Sequence, residues 1–314
     1  MPTVAYVVAR GRTGSTLLGN LLAQAPGVVH PGELITLWQV GLREQGRVCG
    51  CGERVLACPF WKEVARRTLG ENWTAADVER MARLRRAAVR IRRIPAHFLR
   101  PQLQGIEDTY ARAVSGLYAH LAEVGEADVI VDSSKAASMA AFLPGVPGIR
   151  PAFINIVRDP RAVAYSLSRM KALPDGTLDA RAGALAHTLP THVVARQWLQ
   201  RQLFAEALHL RYPRIPWLRI RYEDLATDPQ AAMDRMTDLL ERPRVALAMD
   251  GDTLDLQPTH TAGGNPSRIR SGPTTVRPDE RWRDELSHRD ERLVTAITAP
   301  LLGRYGYPLR PRTR

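Results

Sequence analysis

The sequence predicts an α/β fold in which a central parallel sheet is flanked by helices. Four short apolar segments rich in β-branched residues predict strands at residues 4–9, 129–132, 152–157 and 217–221. Helical patterns lie between and after these segments. Strands that alternate with helices favour a parallel, doubly wound sheet, which binds its ligands at the carboxyl ends of the strands.

The predicted helices follow from apolar residues at helical spacing and span residues 15–24, 75–99, 106–124, 160–170, 191–212, 229–240 and 279–302. The separation between the first helix and the strand at 129–132 is too long for one crossover connection. Residues 36–124 are therefore expected to form a helical insertion or lid. A chain of 314 residues could form one large α/β domain or two small ones, and we expect a single domain over residues 1–314.

The chain is strongly basic, with 44 Lys and Arg residues against 32 Asp and Glu residues and a net charge of +12. Its basic residues are arginines except for Lys62, Lys135 and Lys171. Such a positive field favours anionic small molecules, anionic lipids or nucleic acid as partners. The sequence shows neither an apolar run of membrane-spanning length nor a secretory signal pattern, so a cytoplasmic protein is expected.

Residues 80–93 combine many arginines with a stripe of apolar residues. Met81, Leu84, Ala88 and Ile91 recur at helical spacing on one face. A basic amphipathic helix can lie on an anionic membrane or hold an acidic partner. It can equally be a lid helix with a solvated arginine face, so peripheral membrane contact through this segment is one possibility.

Three clustered cysteines, Cys49, Cys51 and Cys58, form the pattern C-x-C-x6-C. A metal site would need a fourth ligand at standard spacing, and this pattern is not a recognised structural-zinc motif. The cysteines are more simply interpreted as a local loop clip or as reduced thiols, which suits a reducing compartment. We expect no metal.

The first informative motif is the stretch from Tyr6 to Leu18, where an apolar strand enters a Gly-rich turn and a helix begins. Backbone N–H groups of such a turn and of the helix N-terminus converge on one point, which makes an anion site. The stretch is not a Walker A sequence, because Ala9 stands at the first glycine and Ser15 at the lysine. The positive charge comes instead from Arg12, which favours a phosphoanhydride other than ATP.

The second motif runs from Phe153 to Ser166. A buried strand ends at Arg158, and Asp159 and Pro160 are suited to the N-cap and first position of the next helix. Ser166 follows about two turns later and returns to the same helical face. Arg158 and Ser166 could hold one phosphate between them, although capping alone would also explain the Arg-Asp-Pro sequence.

Together the two motifs resemble the cofactor motifs of sulfotransferases, the bacterial branch included, over residues 3–35 and 128–283. In that family the first motif binds the 5′-phosphosulfate and the second the 3′-phosphate of PAPS (3′-phosphoadenosine 5′-phosphosulfate). The resemblance implies a P-loop-like three-layer fold. It also implies that the cofactor or its product PAP contacts Arg12, Thr13, Gly14, Ser15, Thr16, Leu17, Arg158 and Ser166.

The resemblance also implies catalytic roles. Glu33 matches the carboxylate that serves as base in tyrosylprotein and trehalose sulfotransferases, whereas the cytosolic branch uses a histidine, so His30 remains an alternative. Lys135 matches a lysine that steadies the sulfonyl group and the leaving phosphate oxygen, together with Arg12. In a chain where arginine replaces nearly every lysine, Lys135 suggests that a compact point charge is needed.

Two C-terminal segments have weaker matches. Tyr222 follows the last predicted strand and matches a tyrosine near the adenine in tyrosylprotein sulfotransferases, although core packing would also explain it. The basic, Gly/Pro-rich residues 263–278 resemble the family's loop over the 3′-phosphate, with Arg268, Arg270 and Arg277 as candidates.

The implied reaction is in-line transfer of a sulfonyl group from PAPS to a hydroxyl or amine, without a metal and mainly through positioning and fixed positive charge. The acceptor could be a small molecule, sugar, lipid or peptide, and the insertion and residues 173–190 are expected to shape its pocket. A P-loop kinase or other NTPase is the main alternative, but it requires the missing lysine and Mg²⁺. A nucleic-acid-binding protein fits the charge but lacks a recognition motif.

Overall fold

The computed structural model describes residues 1–43, 47–100, 102–168 and 189–309 and confirms the predicted architecture. Five parallel strands form the central sheet in the order β2-β3-β1-β4-β5, and helices flank it. The sheet strands are β1 (Thr3–Val8), β2 (Val28–Gly32), β3 (Val129–Asp132), β4 (Arg150–Val157) and β5 (Trp217–Arg221). A small antiparallel sheet lies towards the C-terminus and contains β6 (Met249–Asp250), β7 (Thr253–Leu256) and β8 (Gly272–Thr275).

Twelve α-helices lie within the described residues. They are α1 (Ser15–Leu22), α2 (Pro59–Leu69), α3 (Ala75–Ala88), α4 (Ile94–Leu99), α5 (Ile106–Val124), α6 (Ala137–Phe142), α7 (Pro160–Ser168), α8 (Thr191–Arg211), α9 (Tyr222–Thr227), α10 (Pro229–Leu239), α11 (Trp282–Glu285) and α12 (His288–Leu302). The predicted end of the helix at 160–170 and most of the predicted acceptor segment at 173–190 lie outside the described residues.

Strand β1 shows why the sheet is buried on both faces. Its side chains alternate between two apolar clusters, with Val4 and Tyr6 packed in one and Ala5 and Val7 in the other. The first cluster contains most of the buried insertion residues, and the second contains α1 and α10. The insertion therefore shares its core with the sheet.

The insertion is helical, as predicted, but it is not one long helix over residues 75–99. Helix α3 ends at Ala88, a single 3₁₀ turn follows, and α4 begins at Ile94. Pro95 supplies the physical reason, because it has no N–H to donate and its ring would clash with the carbonyl of residue 91 in a continuous helix. A capping box between Thr74 and Asp77 fixes the start of α3.

The predicted helix over residues 279–302 is also two helices in the structure. The N-cap residue of α12 is Ser287, whose side chain accepts a hydrogen bond from the backbone N–H of Asp290.

Strand β2 is present in the structure but was not among the predicted strands. It pairs with β3 at the sheet edge and ends immediately before Glu33.

The arginine-rich segment buries most of its apolar stripe against the core. Val78, Met81 and Ala82 of α3 are buried in the core cluster that also holds α5. Its arginines are exposed apart from the half-buried Arg85 and Arg93, and Arg86 pairs with Glu79. The apolar face of α3 is therefore not available for the membrane contact predicted for residues 80–93. Only the surface charge and the exposed Ile91 are available for such a contact. Among the described residues, no helix is both long and apolar enough to cross a membrane.

Candidate active site

The turn between β1 and α1 has the shape that an anion loop needs. Arg12 and Gly14 both adopt left-handed backbone conformations, with φ of 72° and 84°. The Thr13 hydroxyl between them is buried and donates to the carbonyl of Arg10 over 2.8 Å. Gly14 is the N-cap of α1, whose first turn leaves N–H groups without an intrahelical acceptor. These donors and the helix dipole point towards the same space.

Gly14→Ala is expected to destabilise the fold. A Cβ at Gly14 would lie 2.4 Å from Cδ2 of Tyr222, and the left-handed backbone alone costs an L side chain about 1–2 kcal/mol. The free energy of unfolding, measured by urea denaturation, should fall by at least that amount. Gly11→Ala is the matched control, because a Cβ there meets nothing within 4 Å. Equal effects of the two substitutions would show that the Gly14 turn is not sterically constrained.

The two sequence motifs meet at the carboxyl ends of β1 and β4. Arg158 donates from Nη1 to the carbonyl of Arg12 over 3.2 Å. Arg12 in turn donates from Nε to the hydroxyl of Ser166 over 3.0 Å. Desolvation of its guanidinium and the nearby charge of Arg158 both lower the pKa of Arg12. Two guanidinium groups that lie close together in this way favour an anion near both.

Tyr222 holds Arg158 in place. The Arg158 guanidinium carbon lies 4.5 Å from the centre of the Tyr222 ring, which also covers Gly14. On its other side, Arg158 donates to the carbonyl of Asp279 over 3.2 Å and pairs with its carboxylate over 3.6 Å. Asp279 is a site neighbour that sequence reasoning missed. As predicted, Asp159 caps α7, and it accepts from the backbone N–H of Arg161 over 2.9 Å.

Glu33 and Lys135 form the second part of the site. They come from the ends of β2 and β3, and Lys135 Nζ donates to Glu33 Oε1 over 2.7 Å. Both side chains are largely buried. A Cβ on Gly264 would lie within 4.0 Å of both Glu33 Oε1 and the Thr16 hydroxyl, so the carboxylate lies beside the start of α1. Gly264 itself has a φ of 132°, a backbone conformation that favours glycine.

A buried hydrogen-bond network around Asp132 fixes this ion pair. Asp132 accepts from the hydroxyl of Tyr118 over 2.7 Å and from both the N–H and the hydroxyl of Ser134. The Ser134 hydroxyl also accepts from the N–H of Ile35 over 2.9 Å, which ties the segment after Glu33 to β3. Burial raises the pKa of Asp132 to about 6, against the opposing effect of these hydrogen bonds.

The backbone of Lys135 is strained, with a φ of 60°. A non-glycine residue in this region costs of order 1–3 kcal/mol and persists only where the surroundings impose it. Tyr6 imposes it here, because its hydroxyl donates to the carbonyl of Ala136 over 3.0 Å and accepts from the same residue's N–H over 2.8 Å. Tyr6 and Asp132 are thus supports of the site that sequence reasoning did not identify.

His30 lies inside the protein and not in the open part of the site. Its ring nitrogens lie 3.1 Å from Asn20 Oδ1 and 3.1 Å from the Ser133 hydroxyl. A neutral imidazole satisfies both contacts by donating at one nitrogen and accepting at the other. Burial, with the charge of Lys135 as a smaller cause, lowers the pKa of His30 to about 3. This environment suits a structural histidine.

The three candidate arginines of the C-terminal loop lie in different surroundings. Arg268 is buried, and its Nη2 donates to the carbonyl of Val48 in the insertion over 2.9 Å. Arg270 and Arg277 are exposed. The loop is tied to the Glu33 segment through the Glu33 N–H, which donates to the carbonyl of Gly263 over 3.0 Å.

Comparisons with known proteins agree with this architecture. The mouse (Mus musculus) carbohydrate sulfotransferase 7 is 26% identical over 196 residues, which are 52% of this chain but only 40% of that relative. Two solved structures share the fold. They are the sulfotransferase domain from the curacin biosynthetic pathway (TM-score 0.52, 19% identity, 99% of each chain) and that from the Synechococcus PCC 7002 olefin synthase (TM-score 0.57, 20% identity, 98% of this chain and 96% of the other).

A family model supplies the decisive match. It covers residues 5–245, a span that contains both sequence motifs, the Glu33–Lys135 pair and Tyr222. These are the elements that meet around the carboxyl ends of the central strands in the structure. By this match over most of its length, the chain belongs to the Sulfotransferase family.

Proposed function

We propose that this chain transfers the sulfonyl group of PAPS to a hydroxyl or amine of an acceptor, with Glu33 as general base. The observation that carries the proposal is the meeting of two separate anion-binding motifs, in which Arg158 contacts the carbonyl of Arg12 and Arg12 contacts Ser166. A nucleotide with phosphates at both its 3′ and 5′ positions needs two such anchors. We also propose that residues 1–314 act as one domain, since the insertion and the sheet share a core cluster.

The residues present fit this donor. Arg158 is buried, and its Nε has no hydrogen-bond partner among the described residues, so a donor remains for an anion. We assign the 3′-phosphate to Arg158 and Ser166, with the exposed Arg270 and Arg277 as further candidates and Arg268 as a weaker one. We assign the 5′-phosphosulfate to Arg12 and the loop residues Thr13, Gly14, Ser15, Thr16 and Leu17. We assign the contact with the adenine to Tyr222, which lies against Arg158.

Glu33 and Lys135 supply the chemistry on the acceptor side. When bound, PAPS supplies the sulfonyl group that is transferred. Glu33 would accept the proton of the acceptor hydroxyl, and Lys135 and Arg12 would stabilise negative charge with positions already fixed by the fold. The enclosed environment of His30, with both ring nitrogens occupied, favours Glu33 over His30 as the base.

The acceptor class is a proposal drawn from the relatives. The name of the mouse relative refers to carbohydrate, and the structural neighbours are domains of biosynthetic systems. We propose a hydroxyl or amine of a carbohydrate or another small molecule. Arg268 contacts Val48 of the insertion, and the loop that carries Arg268 contacts Glu33 through Gly263, which supports the proposal that the insertion shapes the acceptor pocket.

Thermal unfolding with nucleotides tests the donor. PAP should raise the unfolding temperature, because a ligand that binds only the native state stabilises it by about 2.7 kcal/mol at a hundredfold excess over Kd. ATP with Mg²⁺ at the same concentration should give little shift. A shift with ATP and Mg²⁺ alone would refute the PAPS assignment and favour a P-loop kinase.

A further inference from the structure

The three clustered cysteines converge with a histidine that is far away in the sequence. His260 lies 202 positions after Cys58, and its Nδ1 is 3.4 Å from the Cys58 sulfur and 3.9 Å from that of Cys49. The sulfurs of Cys51 and Cys58 are 3.7 Å apart. All four potential ligand atoms lie within 4.8 Å of one another. The structure thus supplies the fourth ligand that the cysteine pattern lacks.

The Cys51–Cys58 and Cys58–His260 separations are close to the edges of a zinc tetrahedron, and the Cys49–His260 separation is slightly longer. Bond lengths of about 2.3 Å to sulfur and 2.0–2.1 Å to nitrogen give edges of about 3.8 Å between sulfurs and about 3.5 Å between sulfur and nitrogen. A disulfide needs sulfurs about 2.0 Å apart, and all three cysteines are free thiols here. The set of three thiols and one imidazole is a preferred set for structural zinc.

The surrounding chain is arranged to hold this geometry. A short bridge between Val48 and Arg54 closes the loop that carries Cys49 and Cys51. The Cys58 N–H donates to the carbonyl of Arg54 over 2.8 Å, immediately before α2 begins. Cys49 and Cys58 are fully buried, and Cys51 and His260 are half-buried.

Two aromatic residues fix the position of His260. The ring of Phe60 stacks on the His260 imidazole with centres 4.6 Å apart and planes 3° from parallel. The indole N–H of Trp61 donates to the carbonyl of His260 over 2.8 Å. Both aromatic residues belong to α2, so the helix that follows Cys58 orients the histidine.

The cluster borders the segment that positions the proposed base. Two and three residues after His260, Ala262 donates its N–H to the carbonyl of Pro31 over 2.9 Å, and Gly263 accepts from the N–H of Glu33 over 3.0 Å. From the cysteine side, Gly50 donates to the carbonyl of Thr261 over 3.1 Å. A link between the cysteine loop and His260 therefore restrains the strand ends around Glu33.

We propose that Cys49, Cys51, Cys58 and His260 bind one structural Zn²⁺ that joins the insertion to the loop beside Glu33. Each thiol releases its proton to solvent as its sulfur bonds the metal, and His260 binds through Nδ1. Four protein ligands fill the tetrahedron and leave no open position, so the ion stabilises the fold and takes no part in sulfonyl transfer. The inference is independent of the proposed donor and acceptor.

Metal analysis of the purified full-length protein tests the site. We expect one zinc per chain after dialysis against a weak chelator. His260→Ala and Cys58→Ser should weaken zinc binding by roughly 100-fold or more, since loss of an outer partner of a metal ligand already costs about 10–100-fold. His288→Ala is the matched control, because His288 is exposed on α12 and should leave the zinc content unchanged.

Cobalt substitution tests the geometry in the wild-type protein, even if the variants fold poorly. Co²⁺ should give the visible d–d bands of a tetrahedral site and thiolate charge-transfer bands, and added Zn²⁺ should abolish both. A strong chelator should lower the unfolding temperature of the wild-type protein. Absence of stoichiometric metal, an octahedral cobalt spectrum, or a Cys51–Cys58 disulfide in the native protein by mass spectrometry would overturn the proposal.

Discussion

Glu33→Gln is expected to reduce kcat by about 10²–10⁴-fold, because the amide cannot accept a proton from the acceptor while it keeps the size of the carboxylate. PAP binding should remain close to that of the wild type, since Glu33 is assigned to the acceptor and not to the donor. The measurement is transfer from radiolabelled PAPS to the best acceptor in a panel of sugars, phenols and primary amines, with PAP affinity from calorimetry.

The matched control is Glu241→Gln, which makes the same chemical change on an exposed residue beyond α10. It should leave both kcat and PAP affinity unchanged. Full activity of Glu33→Gln would remove Glu33 as the base and return His30 to consideration. Loss of PAP affinity equal to the loss of activity would assign Glu33 to donor binding instead.

Arg158→Ala is expected to weaken PAP binding by roughly 30-fold or more, which corresponds to at least about 2 kcal/mol for removal of one member of a buried charge pair. Arg158 contributes a buried cation to the proposed phosphate site and also holds the carbonyl of Arg12. Arg158→Lys should recover only part of the affinity, because lysine keeps the charge without the planar fork. Calorimetric titration with PAP provides the measurement.

Arg289→Ala removes one positive charge from the exposed surface of α12 and controls for the general electrostatic field. It should change PAP affinity little at physiological ionic strength. Far-ultraviolet circular dichroism of Arg158→Ala without ligand checks that the variant remains folded. Wild-type PAP affinity in folded Arg158→Ala would place the 3′-phosphate elsewhere.

Strands β1, β3 and β4 could be predicted because they are buried on both faces and appear as largely apolar runs, whereas the edge strand β5 is mostly half-buried. The structure gives β3 and β5 the predicted bounds of 129–132 and 217–221. Strand β2 escaped prediction because His30, Pro31 and Gly32 interrupt its apolar character. Its place in the sheet depends on backbone pairing with β3, a tertiary effect that periodicity does not record.

The candidate residues that could be predicted lie between the end of one strand and the helix that follows it. Arg12 and Arg158 follow strands, and adjacent parallel strands bring their carboxyl ends together. The supporting contacts were not predictable, since Tyr6 acts on Ala136 from another strand and Asp279 reaches Arg158 from the C-terminal segment. Such contacts depend on side-chain packing between distant segments.

The strand order separates the strands of the proposed donor site from the insertion. The residues proposed to bind the donor follow the neighbouring strands β1 and β4, whereas the insertion lies in the chain between β2 and β3, at the sheet edge beyond β1. A change in the length or composition of the insertion need not alter the pairing of β1 with β4. The proposed donor site can therefore stay unchanged while changes in the insertion alter the proposed acceptor pocket at one edge of the sheet.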